Sequence, residues 1–596
     1  MKKIERIFFF IISIFLFLRF IFDGIAYPIF NLIFTLSFFL LFLLFLFLKR
    51  FKIDITHSEI LFLIFIVFSI ISSFFSQIEN SGVRFNAYIL SYFCVSFLVS
   101  NIAKEKKKKI GFIILFLIII FSVNIYGIYQ RFWGFEETRK YFIEHKEILF
   151  KEYPEFLKDI YPTFMDRLQS NRIFSTFVYP NIYAAFLVSV TPFLFFIFLD
   201  KYMSYYLSYF SIFLFFLSFF CLILTESIGG LLIFIFISHI LFLQIIFGEK
   251  RLKKILPFIL SFEIILVVIG YHFRVLPHIH SLIDRFWYWK ASLKIIKLRP
   301  ILGIGPENFK YYFLKFKFPE SLEARHAHNL FIEIFSENGL IGVISLFSFL
   351  IYIILNSFRK KEDKFLSVGI AYLLISFLLH NLIDFDFYDP SVGILFFFFG
   401  GINEKRYKII REKLTKILLC FIIILCIFVS FKLIKFEISE RLRINSLMVE
   451  NIYEKLQMLE KAERWENKNF EVYIEKGDLF LNMWRLTGEE KDLNLCISNY
   501  NKALSLNPFL TKGYLKLANL YEMIQDYKMA ENILLKLIEI YPNKKLYNIK
   551  IARFYKKIGE EEKFQYYYER SKKLKEVSIE EKILINEIEK WIELQR

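Results

Sequence analysis

The chain has 596 residues, 56% of them hydrophobic, a mean hydropathy of +0.47 and a formal net charge of +18. So much apolar surface excludes an ordinary soluble protein of this length. The cationic excess is scattered over short connections and forms no single patch, which fits the positive-inside rule of membrane proteins and not a nucleic-acid binder.

Long uncharged runs open the chain and predict membrane helices. No small-residue cleavage site follows 1–22 and further apolar runs come at once, so the start reads as a first span and not as a removable signal. Thirteen spans are expected, at roughly 7–22, 28–48, 59–76, 85–102, 110–130, 177–199, 203–224, 229–247, 255–272, 338–357, 365–383, 390–402 and 415–435. The twelfth is short, so the number is twelve or thirteen. Alternate connections are basic: MKKIER, KRFK at 49–52, KEKKKK at 104–109, GEKRLKK at 248–254, RKKEDK at 359–364 and NEKRYKIIREK at 403–413. The intervening connections carry little positive charge, which predicts a cytoplasmic N terminus. Two long loops, 131–176 and 273–337, then lie outside, with short amphipathic helices in 131–172 and 305–337 along the membrane surface. Five cysteines give neither a disulfide framework nor a metal-ligand spacing: Cys94, Cys221, Cys420 and Cys426 lie in apolar runs and Cys496 is alone in the tail.

The tail changes character. A membrane domain over 1–435 gives way to a charged, helix-patterned region over 436–596. Pro508 and Pro542, Ala518 and Ala552, Tyr521 and Tyr555, and Asp526 and Glu560 are each 34 residues apart. That period resembles tetratricopeptide repeats, in which a helix pair buries its apolar face only by stacking on a neighbour. A less regular unit precedes them at about 471–508. The fold class expected is all-α: a polytopic membrane bundle followed by a periplasmic repeat domain that binds a protein partner.

The loop 273–337 holds most of the unusual polar residues. It contains Arg285 and Trp289, a Pro-x-x-Gly-x-Gly turn (Pro300, Gly303, Gly305), the aromatic Phe309, and His-x-His-Asn (His326, His328, Asn329). Glu-x-Gly-Leu-Ile-Gly (Glu337, Gly339, Leu340, Ile341, Gly342) follows. Upstream, RIFSTFVYPNIYAAFL at 172–187 carries Arg172 and Asn181, and HNLIDFDF occupies 380–387. Over about 172–400 this order resembles the O-antigen ligase and polymerase family, which includes bacterial protein O-oligosaccharyltransferases. There are departures. Ile228 stands in TESIGG where the family has an Arg proposed to hold diphosphate, and Ser175 stands where Gly is common.

The resemblance implies a bacterial inner-membrane glycosyltransferase that moves a glycan from a polyprenol-diphosphate donor to a hydroxyl, by an inverting route without metal or other cofactor. The acceptor is lipid A core, a growing glycan or a protein. The chemistry can be argued from residue types alone. A diphosphate leaves readily once Arg side chains neutralise it. The attacking hydroxyl must lose a proton, which a neutral imidazole can accept. Arg285, Arg172 and Arg325 are the expected diphosphate ligands and His328 or His326 the base, with His328 favoured because it forms the His-Asn pair. Asn329, Gly303, Gly305, Glu337, Gly339 and Asn181 are expected to shape the site. The histidines should precede a helix from about Asn329 to Asn338, ended by Gly339, whose start could also hold an anion. Asp384 and Asp386 form a weak Asp-x-Asp metal signal, and His380 and Glu263 are ionisable groups in or near spans. A lipid-linked glycan transporter would show internal symmetry in the membrane half, and a scaffold would need one anchor. Neither matches this sequence.

Overall fold

In the computed structural model the described residues are 2–22, 28–145, 168–244, 280–359, 363–404, 411–574 and 579–594, with single positions at 165, 246 and 406. The expected span at 255–272 and Glu263 lie outside them. Every element among the described residues is helical. In chain order the α-helices are α1 (Lys2–Ile21), α2 (Pro28–Leu48), α3 (His57–Phe74), α4 (Val83–Ile102), α5 (Lys106–Tyr129), α6 (Phe135–Glu144), α7 (Pro180–Leu199), α8 (Tyr205–Leu224) and α9 (Ile228–Gln244). They continue with α10 (His280–Leu298), α11 (Phe309–Phe316), α12 (Leu330–Arg359), α13 (Lys364–His380), α14 (Pro390–Asn403) and α15 (Glu412–Ser446). The tail carries α16 (Ile452–Trp465), α17 (Phe470–Thr487), α18 (Glu490–Leu506), α19 (Thr511–Met523), α20 (Tyr527–Ile540), α21 (Lys545–Ile558), α22 (Glu561–Lys572) and α23 (Ile579–Leu594).

Eight of the described helices are long and apolar enough to cross a membrane, and α9, α13 and α14 are shorter apolar helices. The first helix coincides with the first expected span but carries Glu5, Arg6 and Arg19, so it is less apolar than the rest. Many membrane helices turn large apolar side chains outward, among them Phe10, Phe47, Phe216 and Ile424. In water such a surface would drive aggregation, whereas in a bilayer it is the solvated face. The chain is a multi-pass membrane protein.

It divides into two compact units, 1–66, 87–279 and 344–430 on the one hand, 67–86, 280–343 and 431–596 on the other. In the first unit the basic connections are drawn together by acids. Glu5 accepts from Lys49 and Lys108 at 2.5 Å each, Asp363 pairs with Lys109 at 3.0 Å, and Glu59 with Arg406 at 2.7 Å. Apolar packing is supplemented by buried hydrogen bonds, as Asn124 bridges the Ser218 and Tyr183 hydroxyls at 2.8 Å each. Ser175 has φ 52°, a left-handed backbone that glycine adopts without strain. Its hydroxyl donates to the Val123 carbonyl at 2.6 Å, and its N–H donates to Gln130 Oε1 at 2.9 Å, which holds the serine in that conformation.

In the second unit the tail forms successive helix pairs, α17 with α18, α19 with α20 and α21 with α22. The starts of α19 and α21, and of α20 and α22, are 34 residues apart. Ala518, Ala552, Tyr521 and Tyr555 are all in one buried core, so the period marks the positions that pack between helices. Pro508 and Pro542 each sit two residues beyond a helix, where a missing N–H costs nothing. Asp526 accepts from the Met529 N–H at 3.1 Å and caps α20, while Gly488 and Gly559 close α17 and α21 in the left-handed conformation. Because Leu537 is wholly buried in this core, Leu537→Ala should cost about 2–5 kcal/mol. Denaturant unfolding of the full chain followed by tail-domain fluorescence measures this, and a loss below about 1 kcal/mol would contradict the packing.

Candidate functional site

The loop between α10 and α12 is built around one backbone crossing. Ile304 N–H donates to the Ser336 carbonyl at 3.0 Å, Gly305 N–H to the Glu337 carbonyl at 2.9 Å, and Leu340 N–H to the Pro300 carbonyl at 2.9 Å. The two strands of chain approach so closely that a Cβ on Gly303 would lie 2.2 Å from the Glu337 carbonyl oxygen, and one on Gly339 2.1 Å from that of Ile301. Both glycines have positive φ (76° and 67°), as does Gly305 (97°). Gly339, with ψ −170°, breaks α12 between its first turns and its long apolar part, as the sequence predicts. Glu337 is fully buried. Its side chain accepts the Phe309 N–H at 3.0 Å, and its carbonyl also accepts the Ser72 hydroxyl at 2.8 Å. This residue is therefore a staple of the turn, joining the end of α3, the start of α11 and the first turns of α12.

That crossing aims the start of α12 and the histidines before it. Asn329 caps the helix through Oδ1, which accepts the Ile332 N–H at 3.1 Å. His328 is half-buried with φ 51°, a strained conformation for a non-glycine residue. Its ring lies 5.8 Å from that of Tyr288. His326 Nδ1 is 2.6 Å from Glu333 Oε1, and the other oxygen of Glu333 accepts the Ala327 N–H at 3.1 Å. Glu333 is 1% exposed and His326 27% exposed, so a buried carboxylate fixes a partly open imidazole. The Glu333 carboxylate thereby sets the orientation of the His326 ring through Nδ1.

Helix α10 supplies the opposite wall. Trp289 Nε1 donates to the Ala327 carbonyl at 3.1 Å, and Tyr288 packs on Phe313 with centroids 5.5 Å apart. Arg285 is buried and stands one turn before Tyr288 and Trp289 on the same helix face. Burial and the nearby Asp284 push the Tyr288 phenol up to about 12, against the pull of Arg285, so it stays protonated. Arg325 is exposed and opens on a different feature, a groove of about 370 Å³ that it shares with Lys310, Tyr311, Glu471, Phe509 and Lys512.

Arg172 and Asn181 belong to the other compact unit. The Arg172 guanidinium donates to the Thr225 carbonyl at 2.9 Å and to Asn181 Oδ1 at 3.2 Å, and Asn181 Nδ2 donates to Asp384 Oδ2 at 3.1 Å. Arg172 thus reaches the TESIGG segment in which Ile228 takes the place of the expected Arg. Burial lowers the Arg172 pKa, with Glu226 opposing. Asp386 pairs instead with His380 Nδ1 at 2.7 Å, both side chains being buried. Burial pushes Asp386 up to about 6 in spite of that histidine. The two carboxylates of the Asp-x-Asp pattern therefore serve different partners. Among the described residues no group of three or more His, Cys, Asp and Glu side chains could hold a metal ion.

The sequence pointed to the histidines but not to Glu333, seven residues after His326. An acid in the first turn of a helix was the available signal, since that position favours negative charge.

The elements above define a multi-pass helical membrane protein whose inter-helix loop presents histidine, arginine and aromatic side chains. Residues 213–347, a little under a quarter of the chain, match the family model described as O-antigen ligase. That segment holds Arg285, Gly303, Gly305, His326, His328, Asn329, Glu337 and Gly339, and excludes Arg172 and Asn181. No curated protein matches the chain.

Gly339→Ala adds a methyl group where the backbone both crosses Ile301 and has a conformation open essentially to glycine alone. It should cost at least about 1–3 kcal/mol locally and raise hydrogen exchange at 300–309 and 336–340. Unchanged protection there would show that the crossing is not close-packed.

Proposed function

We propose that the chain transfers a glycan from a polyprenol-diphosphate donor to an acceptor hydroxyl at the outer face of a bacterial inner membrane. The single observation that carries the reading is that the O-antigen ligase-like segment supplies two imidazoles and a buried arginine on the walls of one stapled loop. In one displacement the acceptor oxygen attacks the anomeric carbon as the carbon–oxygen bond to diphosphate breaks. The hydroxyl proton passes to an imidazole and the polyprenol diphosphate departs with the bonding electrons. Such a step inverts the anomeric centre. Arg285, the buried cation of this loop, carries the role of neutralising the leaving group, which removes the need for a divalent ion.

His328 is assigned as the base. Glu333 fixes the turn from its upstream side through His326 and Ala327, Asn329 fixes it downstream, and His328 stands between them in a conformation that this bracing must sustain. A second reading, favoured by the 2.6 Å contact, makes His326 the base, oriented by Glu333 as the aspartate orients a serine protease histidine. The N terminus is cytoplasmic in this proposal, and the tetratricopeptide-like tail, 436–596, follows the membrane domain on the outside, where it engages a protein partner. The acceptor is lipid A core, a growing polysaccharide or a protein hydroxyl.

The test is transfer by the purified full chain from a synthetic polyprenol-diphosphate oligosaccharide to a panel of acceptors, with and without EDTA. Losing a general base should lower kcat by about 10²–10⁴-fold, in His328→Ala on the first reading and in His326→Ala on the second. Glu333→Gln should lower kcat on either reading, and by as much as His326→Ala does only if His326 is the base. Arg285→Ala should slow transfer, and EDTA should leave it unchanged. Full activity of both histidine variants would refute the mechanism, and loss of activity with EDTA would refute its independence of metal.

A further inference from the structure

The segment that leads into His326 is gripped from two sides. On one side Phe318 packs on Trp287 of α10, ring centroids 5.1 Å apart, under the ammonium groups of Lys290 and Lys294 at 4.8 and 4.5 Å. On the other side three residues in the turn between α20 and α21 bond to the same segment. Asn543 Nδ2 donates to the Lys317 carbonyl at 2.7 Å, the Tyr541 hydroxyl donates to Glu323 Oε1 at 2.7 Å, and Lys544 Nζ reaches that oxygen at 2.5 Å. Lys315 of α11 also pairs with Glu539 of α20 at 3.1 Å.

A single exposed ion pair would contribute little. Here, however, Tyr541 is 2% exposed and the Lys544 side chain 13%, and Glu581 of α23 holds the same ammonium at 3.0 Å. Burial alone would raise the Glu323 carboxyl, yet Lys544 and Tyr541 bring it below its usual range, so it accepts as a carboxylate. Ala324 and Ala327 follow within the buried cluster of Tyr288, Phe309 and Phe313. Only Ala324 and Arg325 stand between Glu323 and His326, which leaves little slack.

We infer that Tyr541, Asn543 and Lys544 of the tail are positioning residues for the histidine turn, so that the repeat domain is a working part of the transfer site as well as a partner-binding module. This rests on the function proposed above. It assigns the tail a role that no sequence motif expresses: with the turn released, the imidazoles lose their fixed distance to the reacting hydroxyl. Misplacement of about an ångström is enough to cost up to about 100-fold in rate.

The experiment uses the full chain and reads two quantities on each variant: hydrogen exchange over 317–329 and the kcat and KM of transfer from a synthetic polyprenol-diphosphate oligosaccharide. Lys544→Met and the milder Tyr541→Phe should speed exchange over 317–329 and lower kcat by about 10- to 100-fold and a few-fold respectively, with KM for the donor nearly constant. Lys544→Arg should restore both. Lys563→Met is the control, because its partner Glu531, at 2.9 Å, lies within the repeat domain; it should change neither. Unchanged exchange over 317–329 in Lys544→Met and Tyr541→Phe would overturn the inference, as would faster exchange with an unaltered kcat. Loss of protection throughout α19 and α20 in Lys544→Met would show unfolding, in which case the response of Tyr541→Phe decides. A wild-type chain that transfers no glycan would sink the proposed function, while the exchange arm would still report whether the tail orders the turn.

Discussion

Glu337 and the two glycines that meet across it set what the loop can do. The Glu337 carbonyl takes a backbone N–H and a serine hydroxyl, and its carboxylate takes the N–H that opens α11. Those bonds require the chain at 301–305 to run against the chain at 336–340 with no side chain between, and only glycine at 303 and 339 permits that distance. A buried carboxylate is costly to desolvate, so its hydrogen-bond partners are obligatory. The cap at Asn329 and the bond from Trp289 to the Ala327 carbonyl lie in the same compact unit as this crossing.

The same arrangement recurs at the glutamate one turn earlier. Glu333 divides its two oxygens between an imidazole and the N–H one residue on. A carboxylate used in this way favours a fixed ring orientation and one tautomer, as acids behind histidines do at metal centres and in hydrolases. The left-handed backbone at His328 is the complementary observation. Strain of this type persists where neighbours on both sides over-determine the conformation, and such places tend to be functional.

Some of this could be read directly from the residues. The 34-residue spacing was legible because the repeating positions, Ala518 with Ala552 and Tyr521 with Tyr555, are the ones that pack between helices, and packing repeats whenever the unit repeats. The helix beginning after His328 and its interruption at Gly339 were legible from a cap residue and a glycine. The role of Glu333 was not, because a carboxylate folding back over seven residues leaves no periodic trace. Nor was the union of 280–343 with the tail in one compact unit, since Glu323 and Tyr541 are separated by 218 residues and no pattern links them. Ser175 illustrates a third case. It reads as a departure from glycine, and the structure supplies the reason that glycine suits the position, a φ of 52°, along with the hydroxyl bond that lets serine occupy it.

The central claim is a single displacement assisted by an imidazole of this loop, and the stereochemistry of the product tests it most directly. A synthetic polyprenol-diphosphate glycan of known anomeric configuration would be transferred by the full chain, and the new glycosidic bond assigned by NMR. One displacement predicts the configuration opposite to that of the donor. A product that retains the donor's configuration would require two displacements through a glycosyl intermediate, and would contradict the mechanism.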